Sequence, residues 1–97
     1  MGSIPTLATL VSMEKLHYVY FLKSQKDGSY YIGVTSNIEI RLKEHNIGLS
    51  KSTAPKRPWI LVRVEKYPSI SLAYKRERFL KAKKSRKIIG KIIQSFR

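Results

Sequence analysis

The hydrophobic pattern changes its period along the chain, from about two residues to about 3.6, and the changes mark out the elements. Residues 17–23 read His-Tyr-Val-Tyr-Phe-Leu-Lys, dense in aromatic and β-branched side chains, which predicts a strand. Residues 25–29 carry an Asp27-Gly28 turn signal, and residues 30–35 follow as a second strand, so the pair forms a β-hairpin. Residues 59–67 predict a third strand, ended by Pro68. Its alternation puts Ile60, Val62 and Val64 on one side and Arg63 and Glu65 on the other.

Three helical stretches complete the pattern. The first opens at Ser36, with Glu39 three residues on as a capping box requires, and stops at Gly48. Ile38, Leu42 and Leu49 form its apolar stripe, and Arg41 and His45 flank that stripe along one edge. Residues 71–82 predict a second helix, capped by Ser69 or Ser71. The third begins near Ser85 and repeats Ile88, Ile89, Ile92, Ile93 and Phe96 at helical spacing, weakened at Gly90. The order β-β-α-β-α-α predicts a small α/β (α+β) domain, a three-stranded sheet with flanking helices.

One position breaks the second helix's pattern. Ala73, Glu77 and Leu80 share a face, so a carboxylate sits in the apolar stripe. Such a charge needs a partner. In this chain the choices are an arginine, or a divalent metal facing a phosphate, with an i,i+4 pair to Lys81 as the ordinary reading.

Charge narrows the choice. Twenty basic against six acidic residues give +14, which favours a polyanion, and nucleic acid before a membrane surface. The absence of cysteine excludes disulfide and thiol chemistry, and two histidines, His17 and His45, argue against a structural zinc site. Residues 1–14 read as a flexible extension and 15–97 as the domain. No run reaches the length of a membrane span, and the amino-terminal stretch lacks the features of a signal peptide. A cytoplasmic monomer is expected.

Residues 18–80 resemble the GIY-YIG nuclease family. Tyr18-Val19-Tyr20 stands where the family has its GIY tripeptide, with Tyr18 in place of the glycine, and Tyr31-Ile32-Gly33 is a literal YIG. The stretch from Asn37 to Asn46 is similar to the family's first helix, with Arg41 and, one turn later, His45. Ala73-Tyr74-Lys75-Arg76-Glu77-Arg78-Phe79-Leu80-Lys81 looks like the A-x-x-R-E-x-x-L-K helix whose glutamate is the metal ligand. The likeness is to small stand-alone bacterial members, similar to the N-terminal nuclease domain of the excinuclease C subunit.

The resemblance implies a metal-dependent endonuclease that hydrolyses DNA with little sequence specificity, serving repair or recombination, with RNA as the other polyanion. Glu77 would hold one Mg²⁺ or Mn²⁺, Arg41 would meet the phosphate, and Tyr20 or Tyr31 would orient or deprotonate water beside His45. Gly33 would stay bare so that DNA or a helix can approach. Lys51, Lys56, Arg57, Lys81, Lys83, Lys84, Arg86 and Lys87 would position phosphates. Two other classes compete: a non-catalytic nucleic-acid-binding module with the same fold, and a basic ribosome-associated protein in which Glu77 pairs with an arginine. A binding module has no need for two tyrosines, an arginine and an isolated acid to converge.

Overall fold

A computed structural model describes residues 16–95, so the extension expected at 1–14 and Phe96 of the last repeat lie outside the described residues. The elements are β1 (His17–Ser24), β2 (Tyr30–Thr35), α1 (Ile38–Ile47), β3 (Trp59–Tyr67), α2 (Ile70–Lys83) and α3 (Arg86–Gln94), with a 3₁₀ turn at Ala54–Lys56. This is the expected α+β order. The strands lie in the order β2-β1-β3, and both pairs are antiparallel, which makes β1 the central strand. Among the described residues no helix is long and apolar enough to cross a membrane.

Local chemistry explains the boundaries. In the hairpin Gly28 takes φ 76°, a left-handed conformation open to glycine at little cost, and Asp27 Oδ1 accepts from Ser29 N and Oγ. The Ser29 hydroxyl, with the Ser29 N–H, holds the Asp27 carboxyl down at about 2. The first helix is capped one residue later than the Ser36–Glu39 box suggests: Asn37 Oδ1 accepts from Ile40 N at 3.1 Å. Asn37 itself is held by Thr35, whose Oγ1 accepts from Asn37 N. Ser69 and Ser85 cap α2 and α3 through Leu72 N and Ile88 N.

Both faces of the sheet are covered. On one face Val19, Phe21 and Ile32 meet Ala73 and Leu80 of α2 and Ile89 of α3. On the other Tyr20, Leu22 and Trp59 pack with Leu42 of α1.

The alternation expected in β3 does not persist. Phe21 pairs with Arg63 but Leu22 with Leu61, so Val62 is an extra residue in the register, and the strand bulges there. Val62 packs with the Val19–Phe21 cluster, while Val64 lies opposite Tyr20 on the other face. Arg63 and Glu65 therefore share the α2 face with Phe21 and Val19.

That placement makes Glu65 the carboxylate held by arginines. Arg76 donates to both its oxygens at 2.9 and 3.0 Å, Arg63 Nε donates at 2.9 Å and Tyr67 Oη at 2.9 Å. Burial alone would raise this carboxyl, but the Arg76, Tyr67 and Arg63 hydrogen bonds outweigh it and hold the group below its ordinary value. Removing the acceptor would strand three donors, as Glu65→Ala does. The expected loss is about 3 kcal/mol, read in a thermal melt as a fall of roughly 12–24 °C. Because the folded value is depressed, this contribution is present above the unfolded value near ~4.3 and disappears as pH falls through the folded value. The gap between variant and parent narrows on acidification.

Candidate active site

Tyr20 and Tyr31 come from neighbouring strands onto the α1 face. Tyr20 pairs with Gly33 and Leu22 with Tyr31, so the two tyrosines share a side of the sheet. Their ring centroids lie 6.1 Å apart. His45 completes the group, 5.8 Å from the Tyr20 ring and 4.9 Å from the Tyr31 ring.

Gly33 is what admits this packing. A Cβ there would lie 2.5 Å from Tyr20 Oη and 2.7 Å from Tyr20 Cζ. The bare backbone expected to receive DNA or a helix instead receives the Tyr20 ring from the adjacent strand. The glycine of YIG and the last tyrosine of the first motif are one structural unit.

His45 lies deeper than its helical spacing suggests. It is fully buried at the centre of the α1 face, whereas Ile40, Ile47 and Leu49 are exposed. Leu49, expected in the stripe, follows the left-handed Gly48 that ends the helix, so it cannot continue the pattern. The buried imidazole is satisfied on both nitrogens. Nε2 is 2.9 Å from Tyr20 Oη and Nδ1 is 2.9 Å from Thr53 Oγ1.

The neighbours fix the direction of these bonds. Thr53 Oγ1 reaches the Ser50 carbonyl at 3.5 Å, and Arg41 Nε donates to Tyr20 Oη at 3.3 Å. With the Thr53 hydrogen directed at Ser50, the consistent arrangement has His45 donating from Nδ1 and Tyr20 donating to Nε2. Burial, then Arg41, pushes the His45 value down, so the ring is neutral near pH 7. Burial pushes Tyr20 up to about 12, against the opposing Arg41 hydrogen bond. Arg41 thus acts on the phenol in the expected direction, but burial outweighs it. Tyr20 is a protonated hydrogen-bond hub.

Arg41 stands between this hub and the surface. Its Nη1 donates to Glu44 Oε1 at 2.8 Å, and that bond, followed by the one to Tyr20, raises its already high value. The guanidinium is half-buried, fixed at Nε and Nη1, and always charged.

Glu77 lies on α2 between the buried Ala73 and Leu80, as the spacing predicts, with its side chain 18% exposed. Its partner is neither an arginine nor a buried pocket of donors: Lys81 Nζ is 3.3 Å from Oε2. The same Nζ lies 5.5 Å from the centre of the Tyr31 ring. Lys81 therefore spans the outer edge of β2 and ties the acid on one layer to the tyrosine on the other. Among the described residues no group of three or more His, Cys, Asp or Glu gathers as a metal cage. A lone carboxylate suits a hard cation that keeps water and phosphate oxygens as its other ligands.

Residues 16–89 match the family profile described as the GIY-YIG catalytic domain. The chain belongs to the GIY-YIG family. Among its relatives is a UPF0213 protein of Staphylococcus haemolyticus, 47% identical over 62 residues, which are 63% of this chain and 74% of the relative. A UPF0213 protein of Enterococcus faecalis is 46% identical over 67 residues, 66% of this chain and 75% of the relative. Another, from Natronomonas pharaonis, is 42% identical over 67 residues, 68% and 78% of the two chains. These names state no activity. No solved structure matches the chain. GIY-YIG is a nuclease family, so the coarse assignment is to nucleic acid as substrate, with divalent metal as the general requirement.

The basic residues expected to meet phosphates divide into separate places. Lys51, Lys56 and Arg57 are exposed in the loop after α1, where Lys56 Nζ is 3.8 Å from Asp27 Oδ2 and Arg57 Nε donates to Ala54 O at 2.7 Å. Lys81, Lys84 and Arg86 line one cleft beside Tyr30 and Tyr31. Lys83 turns away to the Phe79 ring at 4.3 Å, and Lys87 is exposed on α3.

Sequence reasoning missed the residues that brace the site. Thr53 supports His45, and the loop carrying Thr53 is pinned by Trp59, whose Nε1 donates to Thr53 O at 2.9 Å. Asn46 clamps the start of β3 twice, accepting from Trp59 N at 2.7 Å and donating to Trp59 O at 3.0 Å. The only local signal for Thr53 is its place just before Ala54-Pro55, where a short helical turn begins.

Proposed function

We propose that this chain is a metal-dependent endonuclease that hydrolyses phosphodiester bonds in DNA with little sequence preference. The observation that carries the reading is the convergence of Arg41 and His45 on the Tyr20 hydroxyl, beside a Tyr31 ring that Lys81 connects to Glu77. These groups come from four separate elements.

In this reading Glu77 would hold one Mg²⁺ or Mn²⁺, which would supply charge neutralisation at the phosphoryl oxygens. Arg41 keeps its Nη2 for a non-bridging phosphoryl oxygen, because Nε and Nη1 are already engaged by Tyr20 and Glu44. Tyr31, half-exposed where Tyr20 is buried, is the phenol that meets the attacking water. Tyr20, His45 and Thr53 act as positioning residues that fix Arg41. Water attacks phosphorus, one P–O bond breaks, and a phosphomonoester and an alcohol end are left. With no further element devoted to base readout among the described residues, phosphate contacts dominate recognition.

The test is cleavage of plasmid and of flap and single-stranded oligonucleotides by the purified full chain. Cutting is expected with Mg²⁺ or Mn²⁺, is expected to stop with EDTA, and is expected to return on adding the metal back. A chain that binds these substrates but cuts none with either metal is the non-catalytic module instead.

A further inference from the structure

Beside the tyrosine cluster, and sharing Tyr31 with it, the described surface holds a cleft of about 310 Å³ at the outer edge of β2, where the layer formed by α2 and α3 ends. Its floor is apolar: Ile32, Leu80 and Ile89. Tyr30 and Tyr31 form its aromatic wall, and Lys81, Lys84 and Arg86 its rim. No acidic residue lines it. Through Lys81, which is 3.3 Å from Glu77 Oε2 and 5.5 Å from the Tyr31 ring centre, the cleft adjoins the candidate active site.

A second observation singles out the rim. Lys84 ends α2 in the left-handed region, at φ 49°. That position favours glycine or asparagine, and a lysine there carries backbone strain that glycine would remove. What lysine adds at that position is a cation on the cleft.

We propose that this cleft holds one unstacked nucleobase of the substrate strand, with the flanking phosphates on Lys81, Lys84 and Arg86. The inference rests on the nuclease reading and gives it a substrate class: nucleic acid with an unpaired nucleotide next to the scissile phosphate. The floor and the tyrosines suit the flat apolar face of a base, and the rim suits the charge of its backbone. The volume lies at the small end of the range for small-ligand sites, about 300–1,000 Å³, which fits a nucleotide and not a duplex. Paired bases are stacked inside the helix and present only their edges, so an intact duplex offers this site nothing but phosphates.

Binding measured in EDTA separates this proposal from the chemistry. The probes are fluorescein-labelled single strands of equal length and phosphate number, one with all bases and one abasic at its central nucleotides, followed by anisotropy at fixed salt. The expected result is about tenfold tighter binding of the base-bearing strand, with the preference lost in Tyr30→Ala and the affinity for both strands lowered in Lys84→Gly. Lys84→Gly is expected to melt no lower than the parent, so its result does not depend on a damaged fold. Equal affinity of the parent for both strands overturns the proposal, even if the chain cuts DNA. A base preference that survives undiminished in folded Tyr30→Ala, or an affinity left undiminished in Lys84→Gly, also overturns it, because the base or its backbone then lies elsewhere. A chain that never cuts but shows the preference retains the cleft assignment and loses the nuclease reading.

Discussion

Glu77→Gln is expected to reduce metal-dependent cleavage on the order of 10³-fold, the scale on which a preorganised charge stabiliser acts. The change removes one charge and almost no volume. The interaction it removes in the resting protein is a partly exposed pair with Lys81, of the type worth only ~0.3–0.5 kcal/mol on a helix. The variant should therefore melt within about 1–4 °C of the parent. Binding to nucleic acid should persist, since a negative charge has been taken from a strongly basic surface and Lys81 is released toward the phosphates. Single-turnover cleavage rates measured beside anisotropy binding separate these effects. Cleavage at the parental rate would remove Glu77 from the mechanism.

Gly33→Ala is expected to cost about 1–3 kcal/mol, the usual range for overpacking, and to slow cleavage by about 10²-fold, as displacements near 1 Å do. The added methyl would occupy space 2.5 Å from Tyr20 Oη, so the ring must shift. A shift there disturbs the bonds to both Arg41 Nε and His45 Nε2, because both end on the one hydroxyl. Tyr20→Phe in the same background distinguishes the two consequences. If the rate loss arises through the hydroxyl, the double variant is no slower than Tyr20→Phe alone.

Much of the fold was legible because local chemistry and the global arrangement agree. Asp27-Gly28 fixed the hairpin, Gly48 the end of α1, and the spacing of Ala73, Glu77 and Leu80 the face that α2 buries. The shift of the first cap from Ser36 to Asn37 changes little, since either side chain can accept from the first turn.

The misreadings share a cause. Alternation gave β3 two sides, with Arg63 and Glu65 together on one of them, without saying that helices cover both. The bulge at Val62 then changed which neighbours shared a face. His45 looked like an edge residue because Ile38, Leu42 and Leu49 were read as the stripe, yet Leu49 is exposed and the imidazole is buried. Its burial depends on Tyr20 and Thr53, from a strand and a loop remote in sequence. The part played by Gly33 likewise follows from its pairing with Tyr20 across two strands, which no window along the chain contains.

The twofold grip of Asn46 on Trp59 has a consequence for how this centre could be re-engineered. It closes residues 47–58 into a staple whose ends are fixed to each other rather than to the sheet alone. Extra residues spliced in at 51–52 would part Thr53 from the Ser50 carbonyl that its N–H and hydroxyl both meet, yet leave the Trp59 pin on Thr53 in place. The same splice between Thr53 and Trp59 would pull the threonine off the imidazole while leaving every strand paired, giving a folded protein whose Tyr20–His45 pair has lost its brace.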